Sequence, residues 1–252
     1  MSDLTQITGV VLVDKPVGPT SFRMVQQVRR ALGIKKVGHA GTLDPFASGL
    51  LIICVSRPAT RIISHLMEGE KEYLGVLRLG IETDSQDSEG NVIAEHEVPE
   101  LDREKIEACL AGFRGPQLQV PPQFSALKHK GKPLYHYARK GIVVEKEPRP
   151  ITIFSLEFLK ISEEYLHVRV VCSKGTYVRT LAADIGRALG CGAHLHQLRR
   201  TRSGSFDVKD AIDGSLLGDS KVAKQLLEDK IVSVEEALAV VASDEKNTDR
   251  LQ

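Results

Sequence analysis

The chain has 252 residues, 42% of them hydrophobic, and a net charge of +1. That is enough to bury a sizeable core as one large domain or two modest ones. No stretch of 18 apolar residues occurs, so a transmembrane helix is not expected. The opening MSDLTQITGVVLVDKP also lacks the basic, apolar and small-residue order of a signal peptide.

Gly9–Val13 reads as a strand that stops at the turn DKPVGPTS. Thr20 or Ser21 then caps a helix whose apolar face is Met24, Val25, Val28 and Leu32, ending at Gly33. A glycine-rich loop, VGHAGTLDPFASG, precedes the apolar run Leu50–Val55, a buried-strand pattern. Ala59–Met67 reads as a short helix facing inward through Ile62, Ile63 and Leu66. KEYLGVLRLG alternates as a strand, and TDSQDSEGN is a polar turn. Asp102 caps a helix running through Ile106, Cys109 and Leu110.

Residues 120–150 carry seven Lys/Arg against two Glu and read as a mobile basic connection with little core-forming pattern. Strands are expected at about 151–160 and 165–172, a helix from Thr176 to Leu189 closed by Gly190, and a further strand across HLHQLRR. Ser233 and Glu236 make a capping box for a last short helix, and the tail SDEKNTDRLQ is expected to fray. Strands lie in neighbouring pairs as often as they alternate with helices. The expected fold is therefore α+β, with a mixed, mostly antiparallel central sheet flanked by helices and loops.

The chemistry on offer is sparse. The four cysteines, Cys54, Cys109, Cys172 and Cys191, are scattered without a CxxC pair, as buried thiols of a reducing cytosol would be. There is no GxxxxGK[ST], HExxH or GxSxG. Cys191, His194 and His196 could ligate zinc, but no second cluster supplies a fourth ligand. What remains is one carboxylate, Asp44, in a glycine-rich loop beside a buried strand. Carboxylates titrate near pH 4, so one held there is ionised at neutral pH and can attack an electrophile without a cofactor. A plain Asp-Pro turn would look the same. The basic segments, with interleaved aromatics, suit a polyanion such as RNA.

Five ordered blocks go further. VDKPVGPTSF (13–22), KVGHAGTLDPFASGLL (36–51), KEYLGVLRLGIETDSQDSEG (71–90), VPPQFSALKHKGKPLYHYARKG (120–141) and CSKGTYVRTLAADIGRALGCGAHLHQLRRTRSG (172–204) resemble the bacterial tRNA pseudouridine synthase B family. The resemblance runs from about residue 8 to residue 206. It implies the pseudouridine synthase fold and an isomerase that converts uridine 55 of the tRNA T-loop to pseudouridine by base flipping, breaking N1–C1′ and forming C5–C1′.

By that resemblance Asp44 is the nucleophile, Arg179 its partner, and Tyr73 the aromatic that packs on the target base. His39, Tyr177 and Leu198 are substrate-binding residues, with Leu198 lining the uracil pocket. Lys15 and Pro16 belong to scaffolding behind the active-site loop. Residues 120–150 correspond to an RNA-gripping insertion, with Lys128, Lys130, Lys132, Arg139 and Lys140 as phosphate contacts. No cofactor or metal is implied. The implied setting is a cytoplasmic monomer acting on the tRNA T-arm, with no protein partner and no membrane.

The expected division is a catalytic domain over 1–230 and a C-terminal helix and polar tail over 231–252, without the PUA barrel that bacterial members normally carry. Two rival readings share some of these features. One is a non-catalytic RNA-binding or RNA-folding module. The other is a base-releasing glycosidase, which would ordinarily need a second carboxylate such as Glu82, Asp84 or Asp87.

Overall fold

The computed structural model describes residues 7–125, 127–138 and 140–248. The chain divides into two compact units, 1–72 with 199–252 and 73–198. The first unit opens with β1 (Gly9–Lys15), α1 (Ser21–Leu32), β2 (Val37–Ala40), β3 (Ser48–Val55), α2 (Ser56–Arg61) and α3 (Ile63–Leu66). Strand β4 (Lys71–Leu79) leads into the second unit. There follow β5 (Ile81–Thr83), β6 (Val92–Glu95), α4 (Arg103–Ala111), β7 (Gly115–Gln119), β8 (Lys128–His129), β9 (Lys132–Pro133) and α5 (Leu134–Ala138). Then come β10 (Arg149–Ser162), β11 (Tyr165–Cys172) and α6 (Val178–Ala188). The chain returns along β12 (Ala193–Ser203) to β13 (Phe206–Asp207), β14 (Ile212–Asp213), α7 (Ser220–Lys230) and α8 (Val234–Thr248).

The main sheet is mixed and mostly antiparallel, as expected. In the first unit β3 is the hub. It pairs antiparallel with all of β1 on one side, from Gly9↔Val55 to Lys15↔Gly49. On its other side it pairs antiparallel with β2 and parallel with Arg199 and Arg200 of β12. β14 adds to β1 in parallel. In the second unit β4, β11, β10 and β7 follow one another, with antiparallel ladders from β10 to both neighbours.

The unbroken apolar run of β3 has a physical cause. Successive side chains of a strand point to opposite faces, and here both faces are covered. Leu51, Ile53 and Val55 pack with Met24, Val25 and Val28 of α1 and Leu227 of α7. Leu50, Ile52 and Cys54 pack with Ala59, Leu66 and Ala237 on the other side. A strand covered on both sides cannot alternate polar and apolar residues.

The helix ends follow local chemistry. Thr20 Oγ1 accepts from the Arg23 N–H at 3.0 Å, and Gly33 closes α1 at φ +67°. Asp102 caps α4. Ser233 and Glu236 cap reciprocally, at 2.8 and 3.1 Å.

Four expectations are corrected. Val37–Ala40, expected as loop, is a strand, because full pairing with Ile52–Val55 outweighs the weak strand preference of Gly and His. The helix expected at Ala59–Met67 begins at Ser56 and breaks at Ile62. Residues 120–150, expected to carry little core, contain the β8–β9 hairpin and α5 and bury Leu134 and Val144. The Gln123 side chain also bonds Val144 through both its N–H and its C=O. Finally, α8 runs through Ser243–Thr248, which were expected to fray, since its capping box and two first-turn glutamates favour a long surface helix.

Candidate active site

In the first unit the connection from β2 to β3, residues 41–47, carries Asp44 and is tied down from several sides. Ser21, at the start of α1, donates its hydroxyl to the Leu43 carbonyl at 3.0 Å and accepts the Leu43 N–H at 2.9 Å. The Gly18 N–H donates to the Pro45 carbonyl at 2.8 Å, and the Ala47 N–H closes a turn on the Asp44 carbonyl at 3.2 Å. Leu43 and Phe46 are buried on either side of the aspartate.

Two buried cations complete the frame. Lys15 is wholly buried, and its Nζ donates to the carbonyls of Pro16, Pro19 and Pro45 at 2.9, 2.8 and 3.3 Å. Arg200, also buried, donates through Nε to the Leu50 carbonyl at 2.8 Å and through Nη2 to the Gly41 carbonyl at 3.0 Å. Gly49 is required here: its φ is +103°, and a Cβ would stand 2.2 Å from the Arg200 carbonyl oxygen. Burying a charge is costly unless it is hydrogen-bonded. Both cations meet that condition through carbonyls on or beside the loop.

His39 lies on β2, five residues before Asp44. Its Nδ1 is buried with no hydrogen-bond partner among the described residues. Burial, and then the Arg200 charge, hold its titration below the ordinary histidine range, so the ring is neutral at pH 7.

In the second unit two candidate residues meet at the start of α6. Tyr177 is the N-cap, with extended backbone, and Arg179 lies in the first turn. The Gln119 side chain clamps the Tyr177 backbone: Oε1 accepts from its N–H at 2.8 Å, and Nε2 donates to its carbonyl at 3.1 Å. Arg179 is buried. Its Nη1 donates to the Ser85 carbonyl at 3.1 Å and Asp87 Oδ2 at 3.0 Å, and its Nη2 to the Phe124 carbonyl at 2.7 Å. The Arg179–Asp87 pair is nearly sealed from solvent, at 5% and 6% side-chain exposure. Asp87 is fixed in turn by the Glu89 N–H on Oδ1 and by Thr83 on its carbonyl.

Tyr73, on β4, and Leu198, on β12, are both buried. Lys130, Lys132 and Lys140 are exposed; Lys128 pairs through its backbone with Pro133, and Arg139 lies outside the described residues. Cys191, His194 and His196 do not form a metal-holding group: among the described residues no three His, Cys, Asp or Glu side chains are gathered to hold an ion. No helix among the described residues is long and apolar enough to cross a membrane.

Comparison with known proteins bears on both units. The N-terminal domain model of the TruB family of pseudouridylate synthases matches residues 29–178, and the C-terminal domain model of tRNA pseudouridylate synthase B matches residues 179–239. A tRNA pseudouridine synthase B from Desulfotalea psychrophila is 57% identical over 233 residues, covering 90% of this chain and 94% of the relative. The chain belongs to the TruB family. A second member, tRNA pseudouridine synthase B of Francisella philomiragia, is 48% identical over 91% of this chain and 75% of its own length. Among solved structures, a chain of a Cbf5–Nop10–Gar1 complex superposes with a TM-score of 0.69 at 30% identity. That match covers 92% of this chain and 62% of the other.

The TruB N-terminal domain thus contains Asp44, Tyr73 and Tyr177, and its boundary with the C-terminal domain cuts α6 just before Arg179. Arg200 and Gln119 escaped the sequence reading, which took Ser21 only as a possible helix cap and Asp87 only as a spare carboxylate; nothing local marks their observed roles, since each acts on residues far away in the chain. Ser21 gives a direct test of the loop frame. Ser21→Ala removes both bonds to Leu43 and is expected to cost about 1–3 kcal/mol of stability, as for a buried group left unpaired. Turnover should fall roughly tenfold to a hundredfold if Asp44 reacts from this loop. Denaturant unfolding and single-turnover kinetics check this, and unchanged turnover would show that the Ser21 tie does not position the reacting group.

Proposed function

We propose that this protein isomerises uridine 55 in the T-loop of tRNA to pseudouridine. The observation that carries the reading is 57% identity along 90% of the chain to a tRNA pseudouridine synthase B. The fixed loop around Asp44 supports it chemically, because a nucleophile is effective only when held near its target.

In this reading the Asp44 carboxylate attacks the flipped nucleotide at C6 of the base or C1′ of the ribose. The N1–C1′ bond breaks, the uracil turns, C5 bonds to C1′, and the bond to the Asp44 oxygen breaks to give back the free carboxylate. C5 loses a proton and N1 gains one, so the RNA leaves with unchanged mass. Arg179 is the cationic partner of the aspartate, held in place by Asp87. Tyr73 stacks on the base, an interaction worth about 1–3 kcal/mol, and Leu198 lines the uracil pocket. Tyr177 contacts the substrate. Neutral His39 enters the space the flipped nucleotide leaves, where an imidazole can stack and hydrogen-bond at once.

Lys128, Lys130, Lys132, Arg139 and Lys140 of the 120–150 insertion contact phosphates, which position the RNA without reading its sequence. T-loop shape supplies recognition, and flipping costs least where bases are already strained. No step calls for a metal or cofactor. We read the protein as a cytoplasmic monomer that needs no protein partner, although the similar Cbf5 chain is found in a complex with Nop10 and Gar1.

Incubation with a T-arm transcript and nucleoside analysis by mass spectrometry tests this. One pseudouridine at the T-loop position, in RNA of unchanged mass, is expected. Free uracil with an abasic site would point to the base-releasing rival, and bound but unmodified RNA to the binding module.

A further inference from the structure

Strand β12 brings Arg200 into the first unit, where it pairs in parallel with Gly49 of β3. Its side chain is among the largest that are wholly buried, yet among the described residues it meets no carboxylate. Its neighbour Arg199, by contrast, has a bidentate partner in Asp14, at 2.9 and 2.6 Å. Burying a cation without a counter-ion is costly, and an apolar side chain of similar volume in its place is commonly as stable or more so. Stability alone therefore gives no reason for an arginine here. The reason lies in its geometry.

A guanidinium is a rigid planar fork of N–H donors. Arg200 Nε takes the Leu50 carbonyl and Nη2 the Gly41 carbonyl, and these two residues stand on either side of Asp44 in the chain. One side chain thus ties down both ends of the connection that carries the aspartate. Gly41, three residues before Asp44, has φ +82°, and a Cβ there would lie 3.3 Å from Arg200 Nη1, so the turn sits close upon the guanidinium. Between the two ends, Ser21 holds Leu43.

We propose that Arg200 is a positioning residue for the reaction: its guanidinium fixes both ends of the 41–47 loop and so sets where the Asp44 carboxylate stands, without itself touching the substrate. The inference rests on the functional reading above, in which Asp44 is the nucleophile. Arg200 also lies two residues after Leu198 on β12, so one strand carries both a residue of the proposed uracil pocket and the anchor of the nucleophile's loop.

Arg200→Lys tests this, because it keeps the charge and replaces the fork by a single point donor. At a temperature where the variant is fully folded, its single-turnover rate on a T-arm transcript is expected to fall about a hundredfold, with RNA affinity within about twofold of the parent's. Combined with Ser21→Ala, the loss of rate should be smaller than the product of the two separate losses, since both side chains hold one loop. An undiminished rate, a loss of affinity equal to the loss of rate, or fully multiplicative effects would each overturn the proposal. Amide hydrogen exchange gives a second readout that needs no turnover. The Leu43 and Ala47 amides, bonded within the loop, should exchange at least tenfold faster in Arg200→Lys, while Val11 and Ile53 of the β1–β3 ladder keep the parent's rates. Unchanged loop exchange, or an equal rise in the ladder, would overturn the positioning role. Arg200→Met, which keeps the volume, is measured in the same way should Arg200→Lys not fold. Pseudouridine formation by the parent is scored in the same preparations: its absence would remove the catalytic reading, while exchange would still decide whether Arg200 holds the loop.

Discussion

Asp44→Asn is expected to abolish pseudouridine formation, by at least about four orders of magnitude in turnover, while T-arm RNA still binds with nearly the parent affinity. The reasoning is geometric as well as chemical. An amide has the size and shape of the carboxylate but no charge and little nucleophilicity. The ties that hold the loop, from Ser21 to Leu43 and from Gly18 and Lys15 to Pro45, do not use the Asp44 carboxylate. The variant should therefore fold and present the same surface. Single-turnover assays with nucleoside analysis, beside filter binding, separate the two effects. Undiminished turnover would remove Asp44 from the chemistry, and a loss of binding equal to the loss of rate would reduce it to a contact.

Arg179→Ala is the second large effect, and the structure makes it a double one. Arg179 and Asp87 form a pair that solvent hardly reaches. Removing one member of a buried pair leaves an uncompensated charge and typically costs about 3–5 kcal/mol. The single variant is thus expected to lose that much stability as well as nearly all turnover. Adding Asp87→Asn removes the stranded charge and should recover most of the stability in denaturant unfolding. Turnover should not return, because the partner proposed for Asp44 is still missing. Recovery of both together would make Arg179 a structural residue only. A single variant as stable as the parent would contradict the buried pair.

Local features of the fold were legible in the sequence. The Thr20 and Asp102 caps and the Ser233–Glu236 box each depend on residues three apart, and β3 declares itself by a run that only a doubly covered strand tolerates. Features that depend on distant pairing were not. β2 is too short, and too rich in Gly and His, to signal a strand without its partner β3. The core of 120–150 rests on Leu134 and Val144, too widely separated to show a period. Helix α7 drew no expectation because only Ala223 and Leu227 of its residues are buried.

The site divides in the same way. Asp44 was singled out as the one carboxylate of a glycine-rich loop, and Tyr73, Tyr177 and Arg179 were named through family resemblance. Their supports were missed because Ser21 reaches 22 residues along the chain, Gln119 58, Asp87 92 and Arg200 150. Composition and spacing report nothing about contacts at that range. Lys15 was seen as scaffolding, but its role as a buried cation crosslinking two proline-rich turns needed coordinates.

The most direct measurement is a crystal structure of the protein bound to a T-arm hairpin. The account predicts the target uridine flipped out of the loop, with an Asp44 carboxylate oxygen about 3–3.5 Å from its C6 or C1′ and Arg179 alongside. A flipped uridine with the Asp44 carboxylate turned away from both carbons would contradict it.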